Sequence, residues 1–384
     1  MIRAVDPIAS RRPSDTAIPG IAVIVPNRND SRYLPRCIRS ILEQKDPPEE
    51  LIVVDDQSTD DSVAVIRSLI TGQKRAQLIQ NPVNLGTLGA MDEGLKSSRS
   101  EYVLFLSAND FLLPGIFARA RSCLARHPGV GLWSAMGWLV DEEDRLIRLH
   151  VSPVVSLRDA YIPPEQCARL AYRLGNWFVG ATLVYRRDAV EAAGKFDPAY
   201  MGLCDLVTTL IVASRRGAVY SPVPFGASRI HSGSYLSRTL TDNANLEAIL
   251  DRLRERGPPL APGLFTKAFL ERTAHRFRFA SVRASKGGNI SHIATKYSGL
   301  RRFALNGFER MLPPEFCRAR VALTFLFLCH FDVLPALWNR LLGSAIVLLL
   351  LRLRGEGTYP PARPRQANGG RLNSRTSPNG KTRQ

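Results

Sequence analysis

Two adjacent carboxylates, Asp55 and Asp56, follow the aliphatic run Leu51-Ile52-Val53-Val54 and precede Gln57-Ser58-Thr59-Asp60. The run reads as a buried strand, so the acids fall at its carboxyl end and the hydroxyls at the start of a helix. A helix-capping turn by itself accounts for Ser58 or Thr59. It accounts less well for paired acids after four buried aliphatics, where a carboxylate can accept the N–H of a nucleobase or a ribose hydroxyl. A further acid, Asp205, opens the helical pattern Leu203–Ser214, a place where the helix dipole alone favours negative charge. Arg229 and His231 stand two residues apart. A guanidinium matches phosphate oxygens bidentately, and an imidazole takes metal or phosphate oxygen.

The elements that must position these groups alternate. Ile21–Val25 is a short apolar run ended by Pro26, and after Asp30 or Ser31 as cap, Leu34, Cys37, Ile38, Ile41 and Leu42 recur at helical spacing. Leu51–Val54 is the second strand; Ser58 or Thr59 caps a helix carrying Val63, Ile66 and Leu69; Gln77–Ile79 is a strand, 87–97 a helix and Tyr102–Leu106 a fourth strand. Four buried runs separated by helices predict a mainly parallel sheet covered on both faces. In such sheets ligands sit beyond the carboxyl ends of the strands, where strand order reverses. Residues 130–231 are expected to complete the sheet in mixed α/β fashion: Val130–Val140 as one or two strands, 165–174 a helix, Ala181–Tyr185 a strand. Helical patterns follow at 242–255 and 264–285, with Gly and Pro breaks at 257–263 and 287–289.

The net charge of +18 is not spread evenly. Residues 1–251 hold 28 Lys and Arg against 28 Asp and Glu, leaving 24 against 6 for residues 252–384. Few of those late cations interleave with aromatics, so nucleic acid is not an expected partner. The six cysteines lie far apart without a C-x-x-C pair, which predicts reduced thiols and a cytoplasmic setting. No apolar stretch precedes Ile21, so a secretory signal is not expected. Four segments follow: a flexible leader (1–19), an α/β domain (20–240), a basic helical region (241–354) and a Pro-, Gly-, Asn- and Arg-rich tail (355–384) expected to be disordered. Within the third, the apolar blocks Val321–Phe331 and Leu341–Leu351 are each too short to span a bilayer. Flanked by Arg318, Arg320, Arg352 and Arg354, they read as a re-entrant hairpin or in-plane anchor bringing 321–354 to a membrane surface, or else as a buried helical hairpin.

Taken in order, Val23-Ile24-Val25-Pro26-x-x-Asn29, Asp55-Asp56-x-Ser58-Thr59-Asp60, Asn84-x-Gly86, Ser107-Ala108-Asn109-Asp110 with Phe111-Leu112-Leu113-Pro114-Gly115, and Gly180–Arg187 with Gly194-Lys195-Phe196-Asp197 resemble the GT-A-fold family 2 glycosyltransferases over residues 21–235. The resemblance implies a Rossmann-like GT-A α/β domain and an inverting transferase moving sugar from a nucleotide-diphosphate sugar, UDP-linked for preference, to a glycan or lipid-linked acceptor. It implies that Pro26 and Asn29 shape the nucleotide pocket, that Asp56 contacts the base, and that Asn84 and Gly86 border ribose and diphosphate. Asp205 becomes the general base, and Arg229 and His231 approach the diphosphate. A divalent metal, Mg²⁺ or Mn²⁺, would take Asn109, Asp110 and His231. The chain departs from the family pattern at Ser107 and Asn109, which replace two of three acids, and at Cys204, which replaces the acid before Asp205. These departures leave a second reading, a binding or scaffolding protein on the same fold.

Overall fold

A computed structural model of the chain describes residues 18–150, 152–230, 239, 242–284, 290–312, 315, 317–328 and 334–355. His231, most of the leader and the tail beyond 355 lie outside the described residues.

The first half follows the expected alternation: β1 (Ile21–Asn27), α1 (Leu34–Leu42), β2 (Glu50–Asp55), α2 (Ser62–Ile70), β3 (Ala76–Gln80), α3 (Gly86–Ser97) and β4 (Tyr102–Phe105). The sheet completes through β5 (Phe111–Leu112), α4 (Ile116–Ala125), β6 (Leu132–Val140), β7 (Leu146–Leu149), β8 (Ala160–Ile162), α5 (Pro164–Leu174), β9 (Val184–Arg186), α6 (Arg187–Ala192), α7 (Cys204–Arg216) and β10 (Ala218–Arg229). The sheet order is β3-β2-β1-β4-β9-β6-β10-β5, with β7 on β6 and β8 on β10. β1 pairs in parallel with β2 and β4, whereas β9 runs antiparallel to both β4 and β6, and β10 is parallel to β6. Two reversals cancel, so β1, β2, β4, β6 and β10 all point their carboxyl ends at one edge. That edge carries Asn27, Asp55, the loop after Phe105, Val140 and Arg229. Chain order reverses at β1, which lies between β2 and β4.

Core residues lie on both faces of the sheet. Val23, Val25, Leu51 and Val53 pack with Leu34, Ile38 and Ile41 of α1 on one face; Ala22, Ile24, Ile52 and Val54 meet Ala90 and Leu95 of α3 on the other. Alternation with period two along fully buried strands produces this division. α3 lies close to the sheet because Gly94 faces it: a Cβ there would overlap Ile24 Cγ2 and come within 3.3 Å of Val54 Cγ2.

Several local expectations need correction. Pro26 does not end β1, which continues to Asn27 with Pro26 opposite Val54. The cap position of α1 is Tyr33, not Asp30 or Ser31; the Asp30 carbonyl accepts the N–H groups of Tyr33 and Leu34 at 2.8 and 3.1 Å, and Pro35 sits in the first turn. Ser58 and Thr59 precede α2 by a turn and serve the loop instead. Ala181–Tyr185 is not one strand but a 3₁₀ turn over Gly180–Thr182 followed by β9.

Beyond β10 come α8 (Asn243–Leu260), α9 (Lys267–Ala284), α10 (Ser291–Ala294), α11 (Gly299–Met311), α12 (Cys317–Leu328) and α13 (Leu334–Arg354). α8 runs through Pro258 and Pro259, where a break was expected. Its last turn is held from outside, since Arg215 donates to the Leu260 carbonyl from Nε and Nη2 at 2.9 and 2.6 Å. The main core extends past residue 240: Leu246, Ile249 and Leu253 of α8 and Val347 and Leu351 of α13 belong to the same cluster as Ile24 and Val54. α13 therefore realises part of the buried alternative. The segment 329–333 between α12 and α13 lies outside the described residues. Among the described residues, no helix is long and apolar enough to cross a membrane.

Candidate active site

A cleft of about 990 Å³ opens along the carboxyl edge of the sheet. Pro26, Asp56, Asn84, Gly86, Asn109, Asp110, Asp205 and Arg229 all line it. Residues separated by up to 203 positions are thus gathered at one rim, because parallel strands deliver their ends to the same side.

The two adjacent aspartates do different work. Asp55 is consumed by the loop: its Oδ1 accepts Asn27 Nδ2 at 2.8 Å and Ser58 Oγ at 2.6 Å, and its Oδ2 accepts the Ser58 N–H at 3.1 Å. Asp56 accepts Asn81 Nδ2 and the Leu85 N–H, each at 2.8 Å, through Oδ1 alone. Its Oδ2 is buried and has no hydrogen-bond partner among the described residues. A buried acceptor is rarely left so, since each such oxygen costs about 1–3 kcal/mol of desolvation. Asp56 thus lines the cleft with its carboxylate oriented through one oxygen alone.

Asn29 does not line the cleft. It adopts a left-handed conformation (φ 59°), and its Oδ1 accepts the Thr59 N–H at 2.7 Å, tying the loop after β1 to the loop after β2. Asn84 accepts the Gly86 N–H at 3.0 Å. Gly86 has φ +74°, a region that L side chains resist, so this position favours glycine. It begins α3, whose cap residue Leu85 contributes no side-chain hydrogen bond, so the positive end of that helix faces the cleft beside Thr87.

Asn109 and Asp110 sit in the turn after β4, locked to β10. Asp110 Oδ1 accepts the Arg229 N–H at 2.9 Å, and the Arg229 guanidinium donates to the Asn109 carbonyl. That guanidinium also pairs with Asp144 and lies 4.4 Å from the centre of the Tyr33 ring. Arg229 is almost fully buried, with its side chain 2% exposed, and it is already committed to groups of this chain. It lines the cleft more as a strut than as an outstretched phosphate ligand.

Asp205 lies in the first turn of α7, exposed within the cleft, with Oδ1 accepting the Leu206 N–H at 2.7 Å. Water reaches it, while protein crowds it at longer range, and that desolvation raises its carboxyl above the ordinary range. Its backbone carbonyl accepts Thr209 Oγ1 at 2.6 Å, and Thr209 in turn meets Tyr185 Oη of β9 at 2.6 Å. Cys204, where the family pattern has an acid, is buried, and desolvation first of all pushes its thiol up to about 12.

The donors for a cation are few. Among the described residues, no three His, Cys, Asp or Glu side chains converge to hold a metal ion. Asn109 and Asp110 are neighbours on the rim, but one Asp110 oxygen already accepts an N–H, and His231 lies outside the described residues. A hard divalent ion prefers several anionic oxygens. Asn109 and Asp110 fit one only as a partial shell completed by phosphates of a ligand.

Sequence reasoning missed Asn81, which orients Asp56, and Asp144 and Tyr33, which hold Arg229. Asp141–Arg145 shows in the sequence only as a charged turn between two strands; nothing in its spacing points to residue 229.

Residues 22–133 match the family model Glycosyl transferase family 2. An uncharacterized protein of Mycobacterium tuberculosis (strain CDC 1551 / Oshkosh) is 29% identical over 62% of this chain and 75% of its own length. An uncharacterized glycosyltransferase of Nostoc sp. (strain PCC 7120 / SAG 25.82 / UTEX 2576) is 32% identical over 46% of this chain, and the chain spans about half of that relative, 54%. Among solved structures, S. aureus TarS 1-349 in complex with UDP-GlcNAc superposes with a TM-score of 0.51 at 17% identity, covering 80% of this chain and 89% of that one. At that identity the likeness speaks for the fold, the GT-A α/β arrangement. The likeness to glycosyl transferase family 2 thus runs from β1 to the start of β6, the stretch that carries Asp56, Asn109 and Asp110.

Proposed function

We propose that the cleft binds a nucleotide-diphosphate sugar, UDP-linked for preference, and transfers its sugar with inversion to a hydroxyl of a glycan or lipid-linked acceptor. The observation that carries this reading is the order of groups along one rim. Asp56 follows β2, Pro26 belongs to β1, Asn109 and Asp110 follow β4, and Asp205 lies on the helix joined to β9 through Thr209 and Tyr185. Neighbouring strands are ~4.8 Å apart, so β2 to β9 spans roughly 14 Å, room to lay a nucleoside, a diphosphate and a sugar end to end.

In this reading Asp56 Oδ2 accepts the N–H of the base, and the amino end of α3 faces the diphosphate. Asp205 takes the proton of the acceptor hydroxyl as that oxygen bonds to the anomeric carbon. The carbon–oxygen bond to the diphosphate breaks on the opposite side, and its electron pair leaves with the phosphate. A raised carboxyl pKa suits a base that must hold that proton, and correct placement of such a base contributes ~10²–10⁴ in rate. Arg229 keeps Asn109 and Asp110 in register. A divalent cation bound there would be held by Asp110 and Asn109 with the donor's phosphates and would supply positive charge to the departing diphosphate. The free cysteines of the described residues fit a reducing, cytoplasmic setting.

The thin donor set keeps a second reading in view, nucleotide-sugar binding without turnover. Calorimetry with UDP, GDP and dTDP, with and without Mn²⁺, followed by a sugar-release screen over the matching nucleotide sugars, separates the two. Binding with turnover is expected; binding without turnover favours the second reading, and no binding under any condition ends both.

A further inference from the structure

α13 has two apolar faces, and among the described residues only one is packed against protein. Asn339, Gly343, Val347 and Leu351 recur every four residues along the side that docks on the α/β domain. Asn339 Oδ1 accepts the Val154 N–H and its Nδ2 donates to the Val154 carbonyl, both at 2.8 Å. A Cβ on Gly343 would stand 3.0 Å from Val154 Cβ, so the helix backbone itself is the contact there. Val347 and Leu351 then enter the core. On the far side, Leu342, Ile346, Leu349 and Leu353 follow one another at i, i+4, i+7 and i+11 and are 44–75% exposed. Arg352 and Arg354, both exposed, close the stripe at its carboxyl end. α11 repeats the pattern: Leu300, Phe303 and Met311 are 76–80% exposed beside exposed Arg302 and Arg310.

We infer that the outward stripe of α13 seats this chain in the plane of an anionic lipid bilayer, as a surface contact and not a span. A stripe of leucines ended by arginines matches the boundary between acyl chains and anionic headgroups. A second copy of the chain is the poorer occupant: α13 contains no Asp or Glu, so a two-fold contact along it offers none of its own carboxylates to the arginines. The charge supports the same choice, with 24 Lys and Arg against 6 Asp and Glu over residues 252–384. The inference does not depend on catalysis, since none of the described residues of α13 lines the cleft.

The test is flotation of the full chain with vesicles of phosphatidylcholine alone and of phosphatidylcholine with phosphatidylglycerol, paired with light scattering for oligomeric state and circular dichroism as a check on the fold. The wild-type chain is expected to float with anionic vesicles and to lose part of that binding in high salt. The double variant Leu349→Glu/Leu353→Glu should bind them at least tenfold more weakly, because each buried leucine is worth about a decade. The exposed pair Arg352→Glu/Arg354→Glu should lose the preference for anionic over neutral vesicles, and it keeps the test open if the leucine variant misfolds. No flotation of the wild type, or equal flotation of these variants, overturns the inference. So does a wild-type dimer that the leucine variant dissociates without any change in vesicle binding, which would make the stripe a contact between copies.

Discussion

Asp55→Asn and Asp56→Asn are nearly isosteric changes one residue apart, and the structure requires them to fail in opposite ways. In Asp56→Asn the amide oxygen can keep both bonds of Oδ1, to Asn81 and to the Leu85 N–H, while the NH₂ falls where Oδ2 has no partner. Stability should then stay within about 1 kcal/mol of wild type. Any ligand N–H that used Oδ2 meets a donor instead of an acceptor. A hydrogen bond to a charged group is worth about 1.5–3 kcal/mol, and every 1.4 kcal/mol is tenfold, so UDP should bind roughly 10- to 150-fold more weakly. Asp55→Asn loses one of the oxygens that hold Asn27, Ser58 Oγ and the Ser58 N–H. With a donor now facing a donor, it should cost about 1–3 kcal/mol of stability.

Urea unfolding and UDP calorimetry on both variants read the crossed pattern, and titration with inorganic pyrophosphate tells base from phosphate. Asp56→Asn should bind pyrophosphate as wild type does. If Asp56→Asn binds UDP with wild-type affinity, Asp56 Oδ2 is not a base contact. If both variants lose stability equally, the division of labour between the two acids is wrong.

Asp205→Asn should abolish sugar transfer while leaving UDP affinity unchanged, measured by product formation and calorimetry. The raised pKa also fixes two signs. Because only the ionised carboxylate can take a proton, kcat/KM in the wild type should fall toward acid with a midpoint above that of an ordinary carboxylate. Because the fold disfavours the ionised form, that form subtracts from stability once pH exceeds the unfolded pKa, so Asp205→Asn should show an equal or higher Tm at neutral pH. Asp144→Ala removes the carboxylate that pairs with the buried Arg229 guanidinium and leaves one of its N–H groups unmatched, which should lower stability by ~1–3 kcal/mol, with a fall in kcat that Asp144→Glu partly rescues. Gly94→Ala would gain about 1 kcal/mol in an exposed helix. Here its methyl meets Ile24 and Val54, so urea unfolding should show a loss of about 1–3 kcal/mol.

The strands were legible because fully buried β-strands leave unbroken aliphatic runs, as at Ile21–Val25 and Leu51–Val54, and those runs carry no competing signal. Helix starts were less legible. Ser58 and Thr59 look like caps to any local rule, but Asp55 and Asn29 bind them from the preceding strand end and the neighbouring loop, so tertiary partners took the groups that a cap would have used. The proline pair at 258–259 reads as a break for the same reason: a sequence window does not contain Arg215, which supplies an outside partner for the Leu260 carbonyl. For α13, hydropathy registered an apolar block but not its division into a docked and an exposed stripe, because α5, β10 and Val154, which set that division, lie more than a hundred residues away.

The candidate site was legible for a different reason. Asp56, Asp110, Asp205 and Arg229 belong to separate elements, and no periodicity connects them; their order along the chain does, once β1, β2, β4 and β10 are known to share a direction. Their chemistry was harder to read than their position. The sequence presents Arg229 as a phosphate ligand because guanidinium suits phosphate, whereas the fold surrounds it with Tyr33, Asp144 and the Asn109 carbonyl and leaves it little to offer a ligand. A charged side chain near a cleft has to be neutralised before it can be buried, and the partner that neutralises it decides whether it binds substrate or braces the residues that do. Asp56 is the inverse case: its carboxylate is fixed through Oδ1 by Asn81 and the Leu85 N–H, and among the described residues nothing bonds its Oδ2, so the fold orients this acid on the cleft without using it up.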